Sequence, residues 1–180
     1  NSDYNVSSII SPRVNVAYMN NAHSSPHHDI ELRKAISYGV NREVYAELIG
    51  GSVAHSAYSD ATPFGNDTIT AYTYDPEQAK AYLEASGLDP AQCGFTLICS
   101  DDTKLRAGQV IQSSLKEHLG IDVQLESMDL ATYLDVTATG DYQAAIGGYT
   151  SNNLLAYALG VYHSSSINAS NKTRTNVPEI

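Results

Sequence analysis

The sequence predicts an α/β sandwich: a mainly parallel, mixed sheet flanked by helices. Strand-like and helix-like stretches alternate along the chain, and the helix-like stretches begin and end at capping residues. With 180 residues, 42% of them hydrophobic, the chain can also bury one sizeable core, about a single domain's worth.

From Arg13 to Met19, Val14, Val16 and Tyr18 fall on one face of a first strand. Asp29 then precedes Leu32, Ile36, Val40, Val44 and Leu48, a stripe at i+4 spacing that predicts one helix over 29–49. Asp29 accepts from the free N–H groups of the first turn, and Glu31 suits the positive end of the helix dipole. Gly50 to Thr68 is punctuated by Gly, Ser and Pro and reads as an irregular loop. A second helix starts at Asp75-Pro76-Glu77, with proline in the first turn, and ends at Gly87. Phe95 to Cys99 is apolar on both faces, which predicts an interior strand. The helix from Lys104 to Leu119 carries Ile111, Leu115 and Leu119 and stops at Gly120, which suits a left-handed cap. Ile121, Val123 and Leu125 alternate with Asp122, Gln124 and Glu126, a period-two strand. A short helix over Asp129 to Val136, with Leu130, Tyr133 and Leu134 as its apolar side, leads to a last strand over Tyr142 to Tyr149. The residues after His163 are polar enough to be loosely held.

Composition excludes several functions. Ten basic and twenty acidic residues give a net charge of -10, which opposes attraction to nucleic acid and anionic lipid. No apolar run approaches the ~18 residues needed to cross a bilayer. Cys93 and Cys99 flank an extended stretch that would separate them by roughly 20 Å at strand rise, too far for a disulfide. The sequons at Asn5, Asn66, Asn168 and Asn171 are of a kind that Asn- and Ser-rich sequence produces by chance.

His27, His28 and Asp29 look at first like metal ligands. Adjacent histidines cannot share one helix face, so the reading favoured here is a capped helix preceded by exposed histidines. His118 lies late in a helix, where the C-terminal dipole accounts for it. His23, His55 and His163 lie in loop-like sequence without a paired acid. Signature motifs for phosphate binding, nucleophilic serine and zinc hydrolysis are missing, and Gly147-Gly148 lacks the third glycine of a dinucleotide site. The residues assign no catalytic group, no metal ligand and no cofactor, and point to recognition rather than catalysis.

Four segments in order resemble one family. VNVAYMNN followed by HDIELRKAISYGVNRE is similar to the strand, loop and helix of the extracellular solute-binding proteins, family 5, of peptide ABC importers. GGSVAHSAYSDATP resembles that family's crossing loop, and YDPEQAKAYLEASG its Y-D-P-E-K-A-K-x-L-L-x-E-A-G. The stretch RAGQVIQSSLKEHLGIDVQLESMDLATYLDVTATGDYQAAIGGY resembles its helix ending in L-G-I-x-V, its alternating strand and its approach to the ligand cleft.

The resemblance, over about residues 13 to 153, implies one lobe of a type II periplasmic-binding-protein-like fold. Residues 1–12 would be a hinge remnant, 13–163 the C-terminal lobe, and 164–180 a truncated polar tail. The implied partners are a peptide ligand, the permease subunits of the importer and the other lobe of the same protein, in an extracytoplasmic location, free or lipid-anchored. In this family the loop after the last matched strand reads G-W-x-x-D, its aspartate pairing with the ligand's amino group. Here Gly148, Tyr149, Thr150, Ser151, Asn152 and Asn153 occupy that stretch, with Tyr149 at the aromatic position and Asn152 at the aspartate position. The alternatives are the same fold holding a nickel chelate or a sugar, and a histidine-dependent metal module or enzyme.

Overall fold

A computed structural model of the chain describes residues 11–22, 26–56, 71–150, 158 and 160–176. Asn5, His23 and Asn66 lie outside these residues, as do Ser151, Asn152 and Asn153 and most of the Gly50 to Thr68 loop.

Four strands form one sheet: β1 (Arg13–Met19), β2 (Phe95–Cys99), β3 (Val123–Ser127) and β4 (Ala144–Thr150), in the order β1-β4-β2-β3. β2 runs parallel to both β3 and β4, while β1 is antiparallel to β4, pairing Arg13 with Thr150 and Tyr18 with Ala145. The sheet is therefore mixed and mainly parallel, and β2 is interior as its double-sided apolar character predicts.

The helices are α1 (Ile30–Gly39), α2 (Arg42–Ile49), α3 (Pro76–Ser86), α4 (Asp102–Leu119) and α5 (Leu130–Thr139). Their starts follow local chemistry. Asp29, Asp75, Asp101 and Asp129 each accept a backbone N–H of the first turn through the side chain. Gly120 ends α4 at φ 69°; its N–H donates to the carbonyl of Lys116 and the N–H of Ile121 to that of Leu115.

The single helix expected over 29–49 is two helices. Val40 is extended, and Asn41 caps α2 by accepting from Val44 N at 3.3 Å. The Asn41 N–H freed by the break donates to Ser114 Oγ on α4 at 3.3 Å, so the interruption leaves that group satisfied. The stripe consequently diverges: Leu32 and Ile36 are buried, whereas Val44 and Leu48 are exposed. In α5 the buried residues are Tyr133 and Thr137, one turn apart, and the expected partners Leu130 and Leu134 face outward.

Successive residues of a strand point to opposite faces, which divides the core in two. Leu97, Ala144 and Ile146 pack with Leu32, Ala35 and Ile36 of α1, Ala79 and Leu83 of α3, and Ala107, Leu115 and Leu119 of α4. Ile98 and Ala145 pack on the other side with Tyr133 of α5 and with Tyr142. The cysteines are free and buried, as their spacing requires.

Two expectations are corrected. His27 is not exposed: it is fully buried, its ring edge-on to Phe95 at 4.6 Å, while His28 remains at the surface. The carbonyls of both accept from the Arg33 guanidinium at 2.8 and 2.7 Å, so this turn is tied down by α1. The polar residues of 164–176 are held rather than loose. Asn171 is buried and donates through Nδ2 to the carbonyls of Tyr162, His163 and Thr175. Arg174 donates to the carbonyls of Ala138 and Ile167 and to Asn168 Oδ1, and Tyr142 Oη donates to the carbonyl of Lys172. Polarity misled here because amides and guanidinium groups anchor a chain through backbone carbonyls without any apolar stripe.

Candidate functional site at the carboxyl ends of the strands

In open α/β sheets ligands sit outside the carboxyl ends of the parallel strands. Here that edge carries the last residues of β2, β3 and β4 and, because β1 is antiparallel, the first residues of β1. Of the residues expected to bind ligand, Gly148, Tyr149 and Thr150 end β4 at this edge. The remaining three, Ser151, Asn152 and Asn153, fall outside the described residues.

Gly148 and Tyr149 point to opposite faces. Tyr149 lies on the α5 side, half-buried, its ring T-shaped against Tyr18 at 5.8 Å. Burial raises its phenol pKa, partly offset by the hydrogen bond with Tyr18. Gly147 leaves room for this arrangement: a Cβ there would come within 2.9 Å of Tyr18 Cε2 and 3.3 Å of Tyr133 Oη. Tyr133 Oη donates to the carbonyl of Ile146 at 2.9 Å and so stitches α5 to β4.

Gly148 faces the α2 side, where sequence reasoning identified no site residue besides Gly148 itself. A Cβ at Gly148 would lie 2.6 Å from Asn15 Oδ1 and 3.0 Å from Arg13 Nη2, so both side chains lean over bare backbone. Asn15 Nδ2 donates to Tyr45 Oη of α2 at 2.9 Å. Burial raises the Tyr45 pKa; the bond from Asn15 lowers it, Asp101 acts upward and Arg13 downward, which places both charges in its neighbourhood. Asp101 itself follows β2. Burial pushes its carboxyl up, but hydrogen bonds from Lys104 outweigh that and hold it below the usual range. The nearly buried Lys104 ammonium pairs with this carboxylate and reaches Ser100 Oγ at 3.4 Å.

The edge therefore presents an exposed guanidinium, a fixed amide and phenol, and an ion pair already closed on itself. These groups hydrogen-bond and carry charge, and are suited to holding a polar, partly charged molecule. Arg13, Asn15, Tyr45, Asp101 and Lys104 come together only through strand register and helix packing. The visible signal was small: an arginine and an asparagine at alternating positions opening β1, and a glycine pair in the strand that faces them.

A mixed sheet with helices on both faces is also the architecture of the periplasmic-binding-protein lobes on which this chain superposes. The structure superposes on an ABC transporter substrate-binding protein of Listeria monocytogenes with a TM-score of 0.84 at 24% identity, covering 95% of this chain and 36% of that one. A periplasmic binding protein of Helicobacter pylori, solved in complex with the peptide STSA, gives a TM-score of 0.80 at 20% identity, with 94% of this chain and 34% of that chain covered. The family model of bacterial extracellular solute-binding proteins, family 5 Middle, matches residues 1–171, and the chain belongs to that family. The dipeptide-binding protein of Escherichia coli strain K12 is 28% identical over 154 residues, 79% of this chain. The chain spans 28% of that relative's length. Members of the family are solute-binding proteins rather than enzymes. Among the described residues no helix is long and apolar enough to cross a membrane.

Proposed function

We propose that this chain is the C-terminal lobe, over residues 13–163, of the substrate-binding component of an ABC importer, and that it closes with a second lobe on extended peptides. The observation that carries this reading is the position of Gly148–Thr150. In a chain of the solute-binding family, they leave β4 at the strand-end edge where ligands bind in open α/β sheets. Relatives named for dipeptide and di/tripeptide binding support peptide as the ligand, beside others named for deoxycholate, heme and nickel. The protein acts outside the cytoplasm and hands its ligand to permease subunits, free or lipid-anchored at the membrane.

The physics of such a jaw sets the mechanism. Extended peptides are held largely through main-chain hydrogen bonds, while side chains project into wet space, so sequence preference stays loose. Contact with both lobes stabilises the closed state of a hinge. The Gly148–Asn153 segment forms this lobe's contribution. Asn152, standing where the family carries aspartate, accepts from the ligand's ammonium group without supplying countercharge.

The test is calorimetry on the full-length protein with peptides in free-amine and N-acetylated forms. Asn152→Asp should tighten binding of free-amine peptides by about 1 kcal/mol, the difference between a charge-assisted and a neutral bond. N-acetylated peptides should be unaffected or weakened. Equal effects on both forms would remove Asn152 from the amine site, and no binding of any peptide would overturn the reading as a whole.

A further inference from the structure

Residues 171–175 lie at the edge of the sheet opposite the candidate site, held by polar groups from three elements. The Asn21 N–H, just past β1, donates to the carbonyl of Thr173 at 2.9 Å, and Asn21 Nδ2 donates to Thr175 Oγ1 at 3.1 Å. Tyr142, just before β4, donates from Oη to the carbonyl of Lys172. At the end of α5 the Arg174 guanidinium covers Gly140, where a Cβ would stand 2.6 Å from Cζ, and donates to the carbonyl of Ala138. Arg174 itself has φ 50°, a left-handed conformation that is costly for a residue with a side chain and persists only where the surroundings impose it. Lys172 reaches furthest into the fold. Its Nζ donates to Thr137 Oγ1 at 2.8 Å and stands 5.2 Å from the centre of the Tyr133 ring, and both partners are buried. Burial lowers the Lys172 pKa from lysine's ordinary value, so the ammonium is largely stripped of water, where a cation over an aromatic ring is attracted most strongly. Tyr133 passes the hold on: its Oη donates to the carbonyl of Ile146 at 2.9 Å, two residues before Gly148.

We propose that Lys172 is a positioning residue for the ligand segment: acting through Tyr133 from the far edge of the sheet, it fixes the end of β4 over Gly148–Thr150. This rests on the peptide reading of that segment given above. Gly147 and Gly148 give β4 no side chain of its own by which to pack at this point, and glycine backbone is the most free to move. The place of the strand relative to α5 is therefore set from outside, by the Tyr133 hydroxyl on Ile146 and by the Tyr18 ring, which a Cβ at Gly147 would meet at 2.9 Å. The ammonium and Thr137 hold the Tyr133 ring in the orientation that makes this bond. The main-chain ties of residues 171–175 do not depend on the Lys172 side chain, so its charge can be removed while the segment stays attached. Lys172 thus acts on the peptide without touching it.

The experiment combines amide hydrogen exchange, read by mass spectrometry, with calorimetry on trialanine, both on the full-length protein. Lys172→Met keeps most of the side chain and removes the charge. It should speed exchange of the β4 amides over 146–150 by at least about tenfold, the scale of one charged hydrogen bond, and leave β2 near its wild-type rate. Trialanine affinity should fall by about threefold, as it would if the strand end kept its binding arrangement one-third of the time. Lys172→Arg, which keeps a cation over the ring, should restore both. Tyr133→Phe, which removes only the hydroxyl on Ile146, should reproduce both effects, and it decides the matter if Lys172→Met fails to fold. Leu83→Ala, on the opposite face of the sheet, is the control for mere loss of stability: it should not single out β4 in exchange and should leave the affinity unchanged. Wild-type exchange at β4 in Lys172→Met and Tyr133→Phe, an affinity loss that Lys172→Arg does not restore, or the same loss in Leu83→Ala overturns this inference while the peptide reading stands. Binding of no peptide by the wild type overturns the peptide reading, and the inference with it.

Discussion

The sheet face beneath α1, α3 and α4 is built from aliphatic and small side chains, whereas the face beneath α5 is built from tyrosines. On the first, Leu32, Leu97, Leu115 and Ile146 are buried with alanines between them, and little direction is demanded of any contact. On the second, Tyr18, Tyr133, Tyr142 and Tyr149 surround Gly147 and Ala145, and buried phenols need partners for their hydroxyls. Tyr133 finds one in β4, and Tyr142 finds one in the carbonyl of Lys172. Lys172 closes this side further, with its ammonium 5.2 Å from the Tyr133 ring centre and 2.8 Å from Thr137 Oγ1. The first face is therefore held by non-directional burial and the second by aimed hydrogen bonds that segments distant in the chain supply. The strand ends are divided the same way: Arg13, Asn15 and Gly148 lie together on the first side, and the Tyr149 ring packs against Tyr18 on the other.

The largest effect should come from the aliphatic face. Leu115→Ala removes a fully buried side chain between α1 and α4, and should cost about 2–5 kcal/mol in denaturant unfolding, as transfer and cavity terms add. A loss below about 1 kcal/mol would mean that the face repacks freely and that the contrast with the tyrosine side is overdrawn.

Gly147→Ala probes the tyrosine face by addition rather than removal. The new methyl must displace the Tyr18 ring or the Tyr133 hydroxyl, and should destabilise by about 1–3 kcal/mol. The same change should perturb the near-ultraviolet circular dichroism of the tyrosines, which Leu115→Ala should leave closer to native. A neutral outcome on both measurements would show the tyrosines to be looser than described.

At neutral pH the smallest difference between the faces is protonic, and it grows in alkali. Burial is the first cause raising the phenol of Tyr142, to about 12, and it raises those of Tyr133 and Tyr149 as well. A group whose folded pKa is raised favours the fold fully below its unfolded value, near 10 for tyrosine, and loses that contribution as pH rises through the folded value. Stability should stay level with respect to these groups up to about pH 10, then fall toward pH 12, with late phenolate absorbance coinciding with unfolding. Ionisation of all tyrosines in one early step with the fold intact would contradict the burial of this face.

What the sequence determined by itself is local. Asp29, Asp75 and Asp129 mark helix starts, and Gly87 and Gly120 mark helix ends, because each acts on backbone groups within a few residues of itself. The alternation of Val123 and Leu125 with Gln124 and Glu126 likewise follows from a pleat that any extended chain has. The segment Gly148–Asn153 became a candidate site only through resemblance to family motifs, and its last three residues lie outside those described. Tertiary structure decided the rest. Asn41 could interrupt the helix because Ser114 of α4 receives its N–H, and His27 is buried because Phe95 of β2 lies against it. The placing of β1 beside β4 rather than β2 brings Arg13 over Gly148 and Asn15 to Tyr45. Such contacts join positions far apart in the chain, and nothing in the residues near either partner encodes the register that makes them neighbours.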